Sequence, residues 1–179
     1  MIITISGLPG SGKTTVGKLL AKRLGFKFYS IGDLRGKMAM GRGLTIDQLN
    51  ELGMNEEWTD KEVDEYQKVL GEKEDNFVID GWLGFHFIPN SLKVFLDVDL
   101  KTAAQRIFKN QRKDEEKKKN VKEVYRMLEE RIEQTNRRYE KYYGIKFLDK
   151  SNYDMVIDTT NLTIEQTVEK IMEKIKTKS

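Results

Sequence analysis

The chain of 179 residues is 38% hydrophobic, which is enough for one core of ordinary size, so we expect a single domain over residues 1–179. It contains no Cys, which excludes a disulfide framework, thiolate chemistry and thiolate metal sites. Its 32 basic and 29 acidic residues give a formal charge of +3, so the total charge indicates no class of partner. Because it has no apolar run near about 18 residues and no leader-like pattern at its start, we expect no membrane or targeting segment. A cytoplasmic monomer is the default expectation.

The first element along the chain is a strand followed by a glycine-rich loop. The β-branched run at residues 2–5 precedes "GLPGSGKT" (residues 7–14), which fits GxxxxGK[ST] at every fixed position. After the loop, Val16, Leu20 and Leu24 fall on one face of a predicted helix, with Gly25 where a C-terminal cap belongs. A plain glycine-rich turn before a core helix does not explain the complete motif in this context. The pattern therefore predicts a polyphosphate-binding loop.

In such a loop, glycines let successive N–H groups converge on an anion, and the helix N-terminus adds partial positive charge. Lys13 is then expected to neutralise the β and γ phosphates, and the Thr14 hydroxyl to bind Mg²⁺. The predicted nucleotide-binding residues are Gly7, Gly10, Ser11, Gly12, Lys13, Thr14 and Thr15.

Further strands alternate with helices along the chain. Strands are predicted at residues 26–29, 76–80, 93–97 and 153–158, and capping boxes at Thr45–Gln48, Thr59–Glu62 and Thr163–Gln166 mark three helix starts. This alternation predicts an α/β fold in which helices cover both faces of a parallel sheet. Ligands bind such a sheet at the carboxyl ends of its strands.

Two long stretches, residues 30–75 and 100–150, interrupt the alternation and predict inserted helical subdomains. The segment 45–75 is acidic, with eleven Asp and Glu against three Lys, whereas the segment 106–119 is basic, with seven Lys and Arg against three acids. The basic insert suits a lid over phosphates, although its "KDEEKKKN" patch (residues 113–120) also fits a solvated helix junction. Phe108 is the only aromatic residue among these cations, so no stable nucleic-acid partner is expected.

Four segments, "GLPGSGKTT", "YSIGDLRGKMAMGRG", "RRYEKYYGI" and "YDMVIDTTNLT", occur in the order and spacing found in nucleoside monophosphate kinases. The chain resembles that family over nearly its whole length, and most resembles the archaeal-type cytidylate kinases and their bacterial relatives. The resemblance implies a five-stranded parallel P-loop sheet, a monophosphate-binding insert near residues 30–73 and a lid near residues 109–120. It further implies transfer of the γ-phosphoryl group of Mg²⁺-ATP to a pyrimidine nucleoside monophosphate, CMP or dCMP.

The resemblance also implies roles for individual residues. Asp80 matches an acidic position near the Mg²⁺ waters, with capping of the next turn as its alternative, and Asp33 matches either an acceptor near those waters or a helix N-cap. Arginines are expected around the transferred phosphoryl group at positions 106, 112, 131 and 138. Arg131 and Arg138 lie two helical turns apart and share a face; the alternative is that such arginines are exposed and pair with Glu129, Glu130 or Glu133. The implied catalytic residues are Lys13, Arg112, Arg131 and Arg138, and the implied substrate-binding residues are Asp33, Arg35, Arg42 and Arg106.

Three positions depart from the family pattern. Trp82 stands where relatives carry an Arg after the strand-end acid, and Arg35 lies one place earlier than is usual, which makes Arg42 a second candidate. Thr135 stands where relatives often carry an Asp that accepts from the cytosine amine. These departures keep two alternatives open: a P-loop kinase of another small acceptor, and a nucleotide-binding module without catalysis.

Overall fold

The five predicted strands form one parallel sheet in the order β2-β3-β1-β4-β5 in a computed structural model that describes residues 1–111 and 115–178. The strands are β1 (Ile2–Gly7), β2 (Lys27–Ser30), β3 (Phe77–Asp80), β4 (Leu92–Asp97) and β5 (Met155–Asp158). Their bounds differ from the predicted ones by at most two residues at either end. The predicted α/β class is confirmed.

Both long stretches between strands are largely helical. The helices are α1 (Lys13–Leu24), α2 (Ile31–Gly41), α3 (Ile46–Gly53), α4 (Trp58–Lys73), α5 (Gly84–Phe87), α6 (Leu100–Lys109), α7 (Val121–Tyr143) and α8 (Ile164–Lys178), with one 3₁₀ turn at Lys150–Asn152. In the described part of the chain, no helix has both the length and the apolar composition needed to cross a bilayer. The division into a monophosphate-binding insert and a lid stays a prediction.

The sheet is buried on both faces, as the neighbouring residues of β3 show by packing into different hydrophobic clusters. Val78 packs with α1 and α8, whereas Phe77 and Ile79 pack with α2, α3 and α4. All three side chains are fully buried. Since side chains alternate across a strand, this arrangement requires helices on each face, as the near-continuous apolar strands predict.

Two of the three predicted capping boxes are confirmed. The hydroxyls of Thr45 and Thr163 each accept from the backbone N–H of the glutamine three residues later. In return, the backbone N–H of each threonine donates to the side-chain oxygen of that glutamine. The third, at Thr59, is wrong because α4 already begins at Trp58 and the hydroxyl of Thr59 donates to the carbonyl of Glu56 at 2.9 Å. The backbone of Glu57 is helical there, so no extended N-cap residue precedes Thr59.

Candidate functional site

The phosphate loop lies at the carboxyl end of the central strand β1 and leads directly into α1. Gly7 and Gly10 have φ values of 140° and 76°, a region that side-chain-bearing residues rarely adopt. A Cβ on Gly7 would lie 2.1 Å from the carbonyl oxygen of Leu96, and one on Gly10 would lie 2.8 Å from Cα of Ala103. The loop therefore packs against β4 and α6 so closely that only glycine fits at these two positions.

The first turn of α1 contains no acidic residue of its own. Gly12 is the N-cap of α1, and no side chain caps the helix. Its N-terminal N–H groups and partial positive charge are therefore available to an anion. Ser11 is buried and its Oγ has no hydrogen-bond partner among the described residues, whereas Thr15 is exposed.

The Lys13 side chain folds back over the loop. Its Nζ donates to the carbonyl oxygens of Gly7 at 3.0 Å and Leu8 at 2.8 Å. Burial lowers the Lys13 pKa to about 8; the charge of Asp80 opposes this shift and that of Arg131 adds to it. The ammonium thus lies between the loop, the end of β3 and α7.

Asp80, the last residue of β3, is 3% exposed and accepts a hydrogen bond from the hydroxyl of Thr14. Burial raises the pKa of Asp80, while hydrogen bonds from Thr14 and Ser30 and the charge of Lys13 oppose the rise. A hydroxyl and a carboxylate side by side are the oxygen ligands that suit a hard cation such as Mg²⁺. These two residues therefore fit the predicted metal role.

Asp33 lies near this pair, and its charge further raises the pKa of Asp80. The N-cap of α2 is Ser30, which has an extended backbone and whose Oγ accepts from the Asp33 N–H at 3.3 Å. The alternative that Asp33 is the N-cap is therefore wrong, because Asp33 is already the third residue of the helix.

A cavity of about 540 Å³ opens in front of the loop. The loop and β3 supply one side, helices from both long inserts supply much of the rest, and Trp82 and Ile164 of α8 complete the lining. Its polar and aromatic lining residues include Lys13, Thr14, Thr15, Arg35, Asn50, Asp80, Trp82, Arg106, Glu115, Arg131, Thr135, Arg138 and Tyr139.

Arg106 contacts the loop rather than the first insert. Its guanidinium donates to the carbonyl oxygen of Gly10 at 3.2 Å, Thr159 at 2.8 Å and Thr160 at 3.2 Å. Arg106 thus joins α6, the phosphate loop and the end of β5.

Arg35 and Arg138 meet at one buried carboxylate. Arg35 Nη1 donates to Asp60 Oδ1 at 2.6 Å, and Arg138 Nε lies 2.9 Å from Asp60 Oδ2. Asn50 joins them, since its Oδ1 accepts from Arg35 Nε at 3.1 Å and its backbone oxygen accepts from Arg138 Nη1 at 3.4 Å. Three helices of the first insert and α7 therefore converge beside the cavity.

Arg131 bridges the two inserts. Its Nη2 donates to Asp47 at 2.6 Å and its Nη1 to Glu115 at 2.8 Å. Although burial opposes charge at Arg131, these two carboxylates leave its pKa raised. Arg131 and Arg138 line the same cavity, as their two-turn spacing predicts, and their ion-pair partners are not Glu129, Glu130 or Glu133.

One predicted arginine, Arg42, is not among the residues that line this cavity. Arg42 lies at the C-terminal cap of α2, where it pairs with Glu62 at 3.3 Å and lies 5.1 Å from the ring centre of Trp58. Arg112 lies outside the described residues, as does the rest of 112–114 in the predicted lid.

Trp82 and Thr135, two of the three departures, both line the cavity. Trp82 stacks on Phe147 with 4.9 Å between ring centres and contacts the ring of Tyr139 edge to face. Thr135 is 3% exposed on the same side of α7 as the two arginines.

Sequence analysis missed Asp60, Asn50, Asp47 and Glu115. A signal for Asp60 does exist, because Asp60, Asp64 and Gln67 recur at helical spacing among the buried Val63 and Leu70. Buried polar residues on an apolar helix face need hydrogen-bond or ion-pair partners. On α4 these partners come from α7, where Arg138 contacts Asp60 and Tyr143 contacts Asp64.

Comparison with known proteins agrees with this geometry. Residues 2–161 match the cytidylate kinase-like family. A cytidylate kinase of Archaeoglobus fulgidus is 36% identical over 179 residues, covering 99% of this chain and 96% of the relative. The shikimate kinase structure from Aquifex aeolicus vf5 has a TM-score of 0.62 and 25% identity, covering 98% of this chain and 96% of that one.

A third relative is longer. An S-adenosylmethionine-dependent nucleotide dehydratase of Lacinutrix mariniflava is 37% identical over 172 residues, covering 96% of this chain but 35% of the relative. This chain thus spans about a third of that protein. The chain belongs to the cytidylate kinase-like family, and its relatives support a nucleotide kinase with a P-loop fold.

Proposed function

We propose that this member of the cytidylate kinase-like family transfers the γ-phosphoryl group of ATP to a pyrimidine nucleoside monophosphate, with CMP or dCMP as the preferred acceptor. The observation that carries the proposal is that the phosphate loop lines the same cavity of about 540 Å³ as Arg35, Arg131 and Arg138. Holding donor and anionic acceptor in one cavity supplies the proximity that in-line transfer requires.

The phosphate loop binds the donor in this proposal. The uncapped N-terminus of α1 and the backbone N–H groups around Gly10 and Gly12 bind the ATP phosphates, and Lys13 neutralises their charge. The contact of Arg106 with the Gly10 carbonyl supports the loop from the α6 side. Thr14 and Asp80 would hold Mg²⁺, which when bound supplies charge neutralisation at the β and γ phosphates.

The acceptor phosphate binds to Arg35 and Arg138, with Arg131 closer to the transferred group. This assignment is supported by their shared cavity and by the effect of Arg131 on the pKa of Lys13. Phosphoryl transfer passes through a loose transition state that needs positioning and positive charge more than covalent chemistry. No general base is required, since the acceptor phosphate is already an anion near neutral pH.

The cytidine preference is supported by the names of the relatives, and Asn50 and Thr135, which both line the cavity, are proposed to contact the base. A second candidate acceptor class is a small hydroxyl compound. The similarity to a shikimate kinase structure favours this class. Trp82 and Thr135 favour it as well, because they stand where the family pattern has an Arg and often an Asp. The matched region is about a third of the length of the dehydratase, so the activity of that protein is not part of this proposal.

The test is a coupled assay of ADP formation across CMP, dCMP, UMP, dUMP, TMP, AMP, GMP and shikimate. CMP or dCMP should give the highest kcat/KM, and Lys13→Ala should reduce turnover by about 10²- to 10³-fold while the protein stays folded. Turnover of shikimate alone would support the hydroxyl acceptor. Tight ATP binding without transfer to any acceptor would identify a nucleotide-binding module.

A further inference from the structure

The first turn of α4 carries a buried carboxylate that the proposed transfer does not use. Asp60 is 3% exposed, and its two oxygens contact different arginines on different helices. Both arginines, Arg35 on α2 and Arg138 on α7, line the cavity. Burying three charged groups together is costly, so their retention in one place needs an explanation beyond stability.

We propose that Asp60 is a positioning residue that holds Arg35 and Arg138 in the geometry that binds the acceptor phosphate, an inference that rests on the proposed function. Two guanidinium groups that contact one carboxylate repel each other, and the carboxylate between them offsets that repulsion. Asp60 itself offsets only one of the two guanidinium charges. The remaining charge is available to an anionic acceptor in the cavity.

The hydrogen bonds of Arg35 leave one donor for a ligand. Its Nε donates to Asn50 Oδ1, and its Nη1 donates to both Asp60 Oδ1 and the carbonyl oxygen of Thr59. Its Nη2 is buried and has no hydrogen-bond partner in the part of the chain that the structure describes. A buried donor without an acceptor is unfavourable, and a phosphate oxygen in the adjoining cavity would satisfy it.

The side chain of Arg138 is also held in place, by close packing against α3. A Cβ added to Gly53, the last residue of α3, would lie 3.2 Å from Arg138 Cδ and 2.8 Å from Thr59 Oγ1. Gly53 therefore allows Arg138 to pass between α3 and α4 to reach Asp60. Packing from α3 and charge from α4 together determine the direction of the guanidinium.

The same helix provides a matched control. Asp64 lies one turn after Asp60, is also buried, and also joins α4 to α7, but its hydrogen-bond donor is the hydroxyl of Tyr143. Asp64 is not among the residues that line the cavity. A residue that only fastens α4 to α7 should behave like Asp64.

The experiment measures kcat and both KM values with ATP and CMP for wild type, Asp60→Asn, Asp60→Glu and Asp64→Asn. Asp60→Asn should raise the KM for CMP about 10- to 100-fold and leave the KM for ATP within about twofold, as for loss of one charge-assisted contact. Asp60→Glu should recover part of the loss. Asp64→Asn should change thermal stability without changing either KM.

A double variant tests whether Asp60 acts through its arginine. In an Arg35→Ala background, Asp60→Asn should raise the KM for CMP by much less than it does in wild type. Gly53→Ala should displace Arg138 without changing Asp60, and it should therefore also raise the KM for CMP. This variant replaces Asp60→Asn in the test if Asp60→Asn does not fold.

The outcomes separate this inference from the proposed function. If wild type phosphorylates CMP but Asp60→Asn and Gly53→Ala leave its KM unchanged, Asp60 is structural and the inference is overturned. Equal effects of Asp60→Asn and Asp64→Asn on both substrates would overturn it as well. If wild type phosphorylates no nucleoside monophosphate, the proposed function fails first, and this inference fails with it.

Discussion

The hydroxyl of Thr14 donates a hydrogen bond to Oδ2 of Asp80, although the two residues are 66 positions apart in the chain. The sheet causes this contact, because β1 and β3 are neighbours and Asp80 pairs in register with Ile5. The residue that ends β3 therefore lies beside the loop that follows β1. Carboxyl ends of parallel strands meet at one edge, which is where such folds bind ligands.

Removing either oxygen ligand should weaken the response to Mg²⁺. Thr14→Ala and Asp80→Asn should each raise the Mg²⁺ concentration needed for half-maximal turnover by about 10- to 100-fold, since each removes a ligand or its orienting partner. Thr14→Ser, which keeps the hydroxyl, should stay close to wild type. Chelation of Mg²⁺ should abolish turnover reversibly. An unchanged Mg²⁺ dependence in Asp80→Asn would contradict the proposed metal site.

Two glycines of similar backbone conformation should differ sharply on substitution. Gly10 and Gly25 have φ values of 76° and 69°, but a Cβ meets Ala103 only at Gly10. Gly25→Ala should lower the free energy of unfolding by about 1–2 kcal/mol and leave the KM for ATP unchanged. Gly10→Ala should cost more stability and reduce kcat/KM for ATP by about 100-fold, because the loop must move. Urea unfolding and initial rates measure both; similar effects of the two substitutions would contradict the steric explanation.

Local spacing predicted the part of the site that the chain builds from consecutive residues. A strand, the loop at residues 7–14 and a helix fix one another's geometry over a short distance, and Asp80 could be inferred because it ends a strand. The cluster of Arg35, Asp60 and Arg138 could not be inferred in this way. Its members come from α2, α4 and α7, which are far apart in the chain. The segment Thr59–Glu62 also resembles a capping box, so Asp60 looks like an ordinary first-turn residue of a helix.

Helix geometry explains why the alternative pairing of Arg131 does not occur. Glu129, Glu130 and Glu133 are one or two positions away from Arg131, and such neighbours do not face each other on a helix. Glu133 instead pairs with Arg137, four residues later. Arg42 follows the last residue of α2, where it contacts Glu62 and Trp58 instead of lining the cavity.

Stability should depend on pH through Asp64. Burial raises its pKa to about 6 against a hydrogen bond from Tyr143 and the charges of Arg35 and Lys68, while the charge of Asp60 adds to the rise. The folded state then binds the proton more tightly than the unfolded state, so this group stabilises the fold below about pH 4 and loses that effect as pH rises through about 6. Wild type should lose about 1 kcal/mol relative to Asp64→Asn between pH 5 and pH 7.5, measured by urea unfolding. Parallel pH profiles for the two proteins would contradict the raised pKa.

The last prediction concerns how the acceptor base is distinguished. Thr135 is buried on α7 and lines the cavity between the positions of Arg131 and Arg138. A hydroxyl there cannot match the charge-assisted bond that a carboxylate makes to the cytosine amine. Wild type should therefore use CMP with a high KM and discriminate only weakly against UMP, whose carbonyl replaces that amine.

Thr135→Asp should raise the preference for CMP over UMP by about one to two decades in kcat/KM, because such a bond contributes about 1.5–3 kcal/mol. Thr135→Asn has a similar shape without the charge, and it should shift the ratio less if charge is responsible rather than size. Trp82→Arg should change both acceptors equally, since it would act on their shared phosphate. A wild-type preference for CMP above about a thousandfold, or an unchanged ratio in Thr135→Asp, would mean that another cavity residue distinguishes the base, and Asn50 would be the next to substitute.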